Sequence, residues 1–254
     1  MSLPHYFWLY QYLWIAPHCL LLVVAIVMLH KGSHKSFPIF FSYLLFEFLQ
    51  FCLLYAVAEF HFKISTATYL KLDLFDRAGG AALHFGILHE LFGEPLAHNR
   101  SMRRKIGRIM NWITLVLIVL AVVFIGALYS RIFGNRFPQA YIVIDALYAA
   151  QVCGLVLVFL WHRFLGLRMS PLSFGITVGM GLVVGIEPLM QAFATLMPKL
   201  AFRHADFVSM GAYHVAVVLW LYYAHDQETM RPDAPTVGPR LLEETAELGR
   251  IIHS

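Results

Sequence analysis

Apolar residues run along this chain in long stretches, separated by short segments that hold most of its charge. A helix needs about 20 mostly apolar residues to cross a bilayer. Seven stretches qualify, at roughly 7–30, 37–59, 69–92, 108–130, 139–163, 171–196 and 205–225. Strands of a membrane barrel alternate between apolar and polar residues, whereas Trp112 to Leu128 is apolar on every face. The pattern therefore predicts an all-α, multi-pass membrane protein, a bundle of seven transmembrane helices.

Composition agrees with a membrane protein, because 59% hydrophobic and 13% charged residues leave too little polar surface for a soluble domain of 254 residues. Positively charged segments beside membrane helices are retained in the cytoplasm. The segment between the third and fourth stretches is the most basic, with Arg100, Arg103, Arg104, Lys105 and Arg108. We therefore expect the N-terminus outside, the C-terminus in the cytoplasm, and a location in the plasma or inner membrane. Anionic lipid headgroups explain this basic segment better than nucleic acid does, so no nucleic-acid partner is predicted.

The chain divides into one membrane domain and a short tail. Residues 1–225 hold all seven stretches, and residues 226–254 are mostly polar. Within the tail, residues 239–252 place several leucines and isoleucines loosely on one side of a helix. We expect a cytoplasmic tail with a surface helix, which would offer a docking site to a cytoplasmic partner.

The third stretch carries an unusual stripe of polar residues. It holds Asp73, Asp76, Arg77, Gly80 and His84, at spacings that place them on one side of a helix. Ionisable groups inside a membrane are costly and mark functional sites by default. Asp73 and Arg77 are four residues apart and would neutralise each other, which predicts a structural pair. Asp76 and His84 remain as candidates for function.

Other stretches supply further acidic and amide side chains, which should turn inward and meet the stripe. These are Glu47 in the second stretch, Asp145 in the fifth, and Glu187 and Gln191 in the sixth. The three acids among them, together with Asp73 and Asp76, make five acidic side chains in the predicted membrane helices. The same helices contain one embedded base, Arg77. Five carboxylates with one cation cannot all stay ionised in a medium of low dielectric constant. Protonation, water in a cavity, or a bound cation would resolve the excess. We predict a ligand-binding pocket of Glu47, Asp76, Asp145, Glu187 and Gln191.

Three histidines form a second candidate set. His18, His84 and His214 lie near the middle of the first, third and seventh stretches. Histidine and carboxylate are ordinary zinc ligands, so these residues with Glu47 or Asp76 would form a metal site. For each histidine alone, a hydrogen-bonded core role is the alternative.

Three classes of function fit this sequence. The first is a receptor-like or sensory seven-helix protein whose acidic pocket binds either protons or a small ligand, including a cationic one. The second is a membrane-embedded zinc-dependent lipid hydrolase. Its last helix would differ from hydrolases of the alkaline ceramidase type, which carry an HxxxH pair there, because His214 and His225 are eleven residues apart. The third is a transporter or structural subunit, and the sequence leaves open whether the protein is an enzyme.

The sequence lacks the residues and motifs that several classes of cofactor require. A retinal Schiff base needs a lysine in the last helix, and residues 206–225 contain none. The chain also lacks a P-loop, a Gly-rich dinucleotide motif, HExxH and a G-x-S-x-G elbow. The sequence therefore names no cofactor, with zinc entering only under the hydrolase hypothesis.

Overall fold

A computed structural model describes residues 4–59, 66–94, 100–133, 139–164, 169–196 and 198–226. The described part is helical and contains no strand, which confirms the all-α prediction. A 3-10 turn, Ser33–Lys35, joins the first two of its long helices. The helices are α1 (Pro4–His30), α2 (Pro38–Glu59), α3 (Thr66–Gly93), α4 (Arg100–Phe133), α5 (Gln139–Phe164), α6 (Pro171–Leu196) and α7 (Pro198–His225). The tail predicted for 226–254 lies outside the described residues beyond Asp226.

Proline marks where several helices begin. α1, α2, α6 and α7 each start with a proline, whose fixed φ suits the first helical position and whose missing N–H costs nothing there. At the other end of α1, Gly32 adopts φ 71° and turns the chain toward the 3-10 turn. Only glycine takes this left-handed conformation without strain. Local chemistry therefore sets these helix boundaries.

Within the described residues, five helices are long and apolar enough to cross a membrane, by length and composition. Their apolar segments are Trp8–His30, Pro38–Val57, Ala146–Phe164, Pro171–Met190 and Asp206–His225. α4 contains a shorter apolar segment, Gly107–Val123. α3 carries the polar stripe, which lowers its hydropathy. The architecture is that of an α-helical membrane protein.

Six helices form a closed ring, and the seventh lies outside it. α1 contacts α2, then α3, α5, α6 and α7 follow in order, and α7 returns to α1. α4 packs on the outside of this ring, mainly against α5 and less against α3. Its large apolar side chains are exposed, including Trp112, Leu115, Val119 and Val123. A cavity inside the ring would therefore touch every long helix except α4.

Hydrogen bonds tie the helix ends together at the end of the bundle that holds the α1–α2 turn, here called the connector end. The Glu90 carboxylate of α3 accepts the backbone N–H groups of Ile39 (2.5 Å) and Phe40 (3.0 Å), in the first turn of α2. A negative charge there also offsets the positive end of the helix dipole. The Lys31 ammonium donates to the carbonyl of His225, in the last turn of α7.

A fourth bond at the connector end joins the end of α3 to α6. The Ser173 hydroxyl, in the first turn of α6, donates to Oε2 of Glu94 at 2.5 Å. Ser170, just before the helix, accepts the backbone N–H of Ser173 at 3.2 Å and so caps α6. α3 therefore holds the starts of two neighbouring helices at this end.

Among the described side chains, the tightly packed core lies in the half of the bundle next to the connector end. Its largest fully buried apolar side chains all lie in this half or at mid-height: Leu21, Met28, Phe40, Tyr43, Leu44, Ile87, Leu91, Leu172, Ile176, Met180 and Trp220. The Trp220 indole lies against Gly179, where a Cβ would collide with the ring. Near mid-height the packing gives way to a cavity.

Candidate functional site: a polar cavity inside the helix ring

A cavity of about 260 Å³ lies inside the helix ring, at mid-height and toward the end opposite the connector end. All six ring helices contribute to its wall. The wall residues are Leu13, Trp14, His18, Tyr43, Glu47, Asp76, Arg77, Gly80, His84, Tyr148, Leu182, Val183, Ile186, Ser209, Met210 and Tyr213. It combines charged groups, two histidines and several aromatic rings in one enclosed space.

The charged side chains in the cavity wall come from two neighbouring helices. Glu47 comes from α2, and Asp76 and Arg77 come from α3. Gly80 lies beside the α2 carboxylate, since a Cβ at Gly80 would stand 3.4 Å from Oε1 of Glu47, an ordinary van der Waals contact. The described part of the wall thus holds two carboxyl groups and one guanidinium, an excess of one acid.

His84 is fixed in one orientation by α5. Its Nδ1 lies 3.1 Å from Oε1 of Gln151, whose Nε2 donates to the carbonyl of Ala81 at 3.2 Å. A carbonyl only accepts, so the amide NH₂ must face Ala81 and the amide oxygen must face His84. The His84 Nδ1 therefore carries the proton and donates it. In the neutral ring, this leaves the Nε2 lone pair as an acceptor.

That acceptor is buried and has no hydrogen-bond partner among the described residues. His84 is only 4% exposed, and its ring stands 4.9 Å from the ring of Tyr43 between centroids. Buried polar atoms in proteins are nearly always paired, so an unpartnered one in a cavity wall is a candidate contact for water, an ion or a ligand. The Tyr213 hydroxyl in the same wall is also buried without a partner in this part of the chain.

His18 repeats this arrangement on α1. Its Nδ1 lies 2.7 Å from the carbonyl of Trp14, which makes Nδ1 the donor and Nε2 the acceptor of the neutral ring. The ring stacks on Phe51 at 4.2 Å and faces Tyr213 at 5.4 Å. Pro17 precedes it inside the helix and has no N–H to give to the carbonyl of Leu13, another wall residue.

The cavity brings together part of the predicted ligand site. Glu47, Asp76 and Arg77 share it with two of the predicted histidines. The side chains of Asp73, Asp145, Glu187 and Gln191 lie outside the described residues, although their backbones belong to α3, α5 and α6. Their roles, including the structural pair of Asp73 with Arg77, stay predictions.

The predicted zinc set does not come together. Among the described side chains, no three His, Cys, Asp or Glu residues are placed to hold a metal ion. His84 Nδ1 bonds Gln151 and His18 Nδ1 bonds the Trp14 carbonyl, which leaves Nε2 of each ring as the nitrogen that could bind a metal. His214 does not line the cavity, and its ring contacts Tyr12 at 5.6 Å between centroids. His18 and His84 thus line the cavity and His214 does not, because similar depth along a helix leaves the direction of a side chain around that helix free.

Sequence reasoning missed Gln151, the residue that orients His84. A signal was present, since Gln151 follows Tyr148 by three residues and so continues the polar face that Tyr141, Asp145 and Tyr148 begin. Tyr213 was also missed, because a tyrosine in an apolar stretch resembles any interfacial or packing residue.

Comparison of this chain with protein-family models, with curated proteins and with solved structures finds no match in any of the three.

Proposed function

We propose that this protein is a receptor-like or sensory membrane protein that binds a small ligand or protons in the cavity inside its helix ring. One observation carries the proposal: six helices enclose a space that contains Glu47, Asp76 and Arg77 and the unpartnered His84 Nε2. Ligand sites are concave, largely apolar and supplied with a few converging polar groups. Asp145, Glu187 and Gln191 remain members of the proposed site.

The size of the cavity suits a small molecule. A cavity of about 150 Å³ accepts benzene, and this one measures about 260 Å³. A ligand of roughly ten to fifteen non-hydrogen atoms would fill it, on the order of one substituted aromatic ring. The same space would otherwise hold several water molecules, which is how protons would reach the carboxyl groups.

The position of the cavity suits a sensor. Its walls come from helices that are fixed to one another at the connector end by Glu90, Lys31 and Glu94. A ligand that contacts several of these helices would favour one arrangement of their opposite ends over another. No specific contact among the described residues favours the hydrolase or transporter alternatives.

The proposal includes seven membrane crossings, with the N-terminus outside and the C-terminal tail in the cytoplasm, in a plasma or inner membrane. The place of α3 in the ring, between α2 and α5, supports a crossing despite its polar stripe. α4 has 34 residues, a length of about 51 Å, which exceeds the roughly 30 Å hydrocarbon core. The tail would be free to dock a cytoplasmic partner.

Reporter fusions test this topology. Alkaline phosphatase should be active when fused in the α2–α3 and α4–α5 connections, and inactive in the α1–α2 and α3–α4 connections. Green fluorescent protein should be fluorescent at the C-terminus. If α3 and α4 do not cross, phosphatase in the α3–α4 connection will be active, and the seven-crossing proposal is wrong.

A ligand screen tests the function itself. Purified protein in lipid nanodiscs would be heated with a panel of small amines, alcohols and carboxylates, and with buffers of different pH. A ligand of the cavity should raise the melting temperature, and Glu47→Gln, Asp76→Asn, Asp145→Asn or Glu187→Gln should reduce the shift. Glu94→Gln is the matched control, since its carboxylate bonds Ser173 at the connector end. An unchanged shift in all four cavity variants would refute the proposed site.

A further inference from the structure

We propose that the ligand of this cavity is an organic ammonium ion that still carries an N–H, namely a protonated primary or secondary amine. This inference rests on the proposed function and names the class of molecule that the site recognises. It follows from three properties of the wall: an excess of acid, hydrogen-bond acceptors whose direction is fixed, and aromatic rings beside them.

The first property is charge. Glu47 and Asp76 share the wall with one cationic side chain, Arg77, among the described residues. Whatever Arg77 contacts, one carboxyl group exceeds the available positive charge. Removing a carboxylate from water is costly unless an opposite charge or a proton accompanies it. A cationic ligand supplies that charge, whereas a carboxylate or phosphate ligand would add to the excess.

The second property is the fixed direction of the acceptors. Gln151 and Ala81 hold His84 so that Nε2 is the acceptor, and the ring is almost fully buried in the cavity wall. His18 is held the same way by the Trp14 carbonyl. Both neutral rings would therefore offer lone pairs. A ligand that matches them must donate hydrogen bonds.

A freed backbone carbonyl adds to these acceptors. Pro17 cannot give an N–H to the carbonyl of Leu13, and Leu13 lines the cavity. The two carboxyl groups accept as well. Donors in the described wall include Arg77, Ser209, the Trp14 indole and the hydroxyls of Tyr43, Tyr148 and Tyr213. Nε2 of His84 is an acceptor without a partner in the described part of the chain, and it calls for a ligand that carries an N–H.

The third property distinguishes two kinds of ammonium ion. Aromatic rings of Trp14, Tyr43, Tyr148 and Tyr213 stand in the wall, and such rings attract any organic cation, including quaternary ones. A quaternary ammonium has no N–H, so it would leave Nε2 of His84 buried without a partner. That loss is expected to weaken binding roughly 5- to 150-fold relative to an amine on the same skeleton.

Four compounds that share a phenyl ring and differ in head group test the inference: benzylamine, benzyltrimethylammonium, benzyl alcohol and benzoate. Their dissociation constants would be measured by calorimetry on the full chain in lipid nanodiscs, with empty nanodiscs subtracted. A propyl series of the same four head groups guards against a ring that does not fit. We expect the amine to bind roughly 5- to 150-fold tighter than the quaternary ion, and benzoate to bind weakest.

His84→Phe is the decisive variant, because it keeps a flat ring and removes the acceptor. It should lower the ratio of amine to quaternary affinity toward one, while the quaternary ion still binds. His162→Phe is the matched control: His162 is equally buried and also bonds a backbone carbonyl, that of Val158, but it does not line the cavity. The ratio should be unchanged in this variant.

A measurement on the unaltered chain covers the case in which His84→Phe does not fold. With ¹⁵N-labelled histidine, the resonance of the unprotonated His84 nitrogen should move upfield when benzylamine binds, as expected for a new hydrogen bond. Benzyltrimethylammonium should leave it in place. An equal response to both ligands would overturn the inference.

The outcomes separate this inference from the proposed function. A ratio of one or less in the original chain, or a ratio that His84→Phe leaves unchanged, overturns the ammonium assignment. A different result is that only benzyl alcohol, benzoate or their propyl analogues bind, and that Ser209→Phe, which narrows the cavity, abolishes their binding. In that case the ammonium assignment is wrong and the proposed small-molecule site stands. If no compound in either series binds saturably and only pH shifts the melting temperature, the ammonium assignment fails and protons are the ligand.

Discussion

Removal of the Glu90 carboxylate should destabilise the bundle measurably, because this side chain of α3 serves as the cap of α2. Glu90 accepts the N–H groups of Ile39 and Phe40 at 2.5 and 3.0 Å. α2 begins at Pro38 and has no acidic residue of its own in the first turn. Glu90→Ala would leave both N–H groups without that acceptor.

The size of the effect follows from the burial of the groups involved. A buried donor left without a partner costs about 1–3 kcal/mol, so two would cost about 2–6 kcal/mol. Glu90 is only half-buried, so water would replace part of the loss. We expect Glu90→Ala to lower the free energy of unfolding by about 2–3 kcal/mol. Glu90→Gln keeps an acceptor oxygen but loses the charge at the helix end, a loss of about 1 kcal/mol.

Titration with sodium dodecyl sulfate from mixed micelles, followed by circular dichroism, would give the free energy of unfolding of each variant. Asp206→Asn provides the control for removal of a carboxylate, since Asp206 is exposed and such a change should stay within about 0.5 kcal/mol. The capping argument would be refuted if Glu90→Ala also stayed within that range. Equal losses for Glu90→Ala and Glu90→Gln would show that charge alone matters.

Two further predictions use the same titration. Gly179→Ala should lower the free energy of unfolding by about 1–3 kcal/mol, because its methyl group would collide with the Trp220 indole. Gly181→Ala should be neutral, since nothing lies within 4 Å of a Cβ there. Equal effects at both positions would contradict the packing described. Gln151→Leu should cost about 1–3 kcal/mol by removing the partner of His84 Nδ1. Combined with His84→Phe it should cost less than the sum of the two single changes, and strict additivity would contradict a direct bond.

Hydropathy predicted the helices well where the apolar stretch and the helix coincide. The sixth stretch, 171–196, matches α6, and 37–59 matches α2 within one residue. The agreement is poorer for α4 and α7. α4 begins at Arg100, eight residues before the predicted start at 108, and α7 begins at Pro198, seven residues before the predicted start at 205. A helix continues for as long as its backbone hydrogen bonds do, so it extends past the point where polar residues end the hydrophobic signal.

The candidate site was predictable where a charged residue sits in an apolar stretch. The cost of burying Glu47 and Asp76 indicated that they face inward, and both line the cavity. The partners of His84 and of the α2 N-terminus were not found, because Gln151 and Glu90 act through contacts between helices. Such contacts depend on how each helix is rotated, and one sequence constrains that rotation only loosely.

The packing of the connector half has a consequence for permeation. On the side of the cavity that faces the connector end lies a fully buried apolar layer, which includes Phe40, Leu44 and Trp220. An ion that entered the cavity would meet this layer as a dielectric barrier. In this conformation the layer closes the cavity toward the connector end, and passage to that end would require the layer to part.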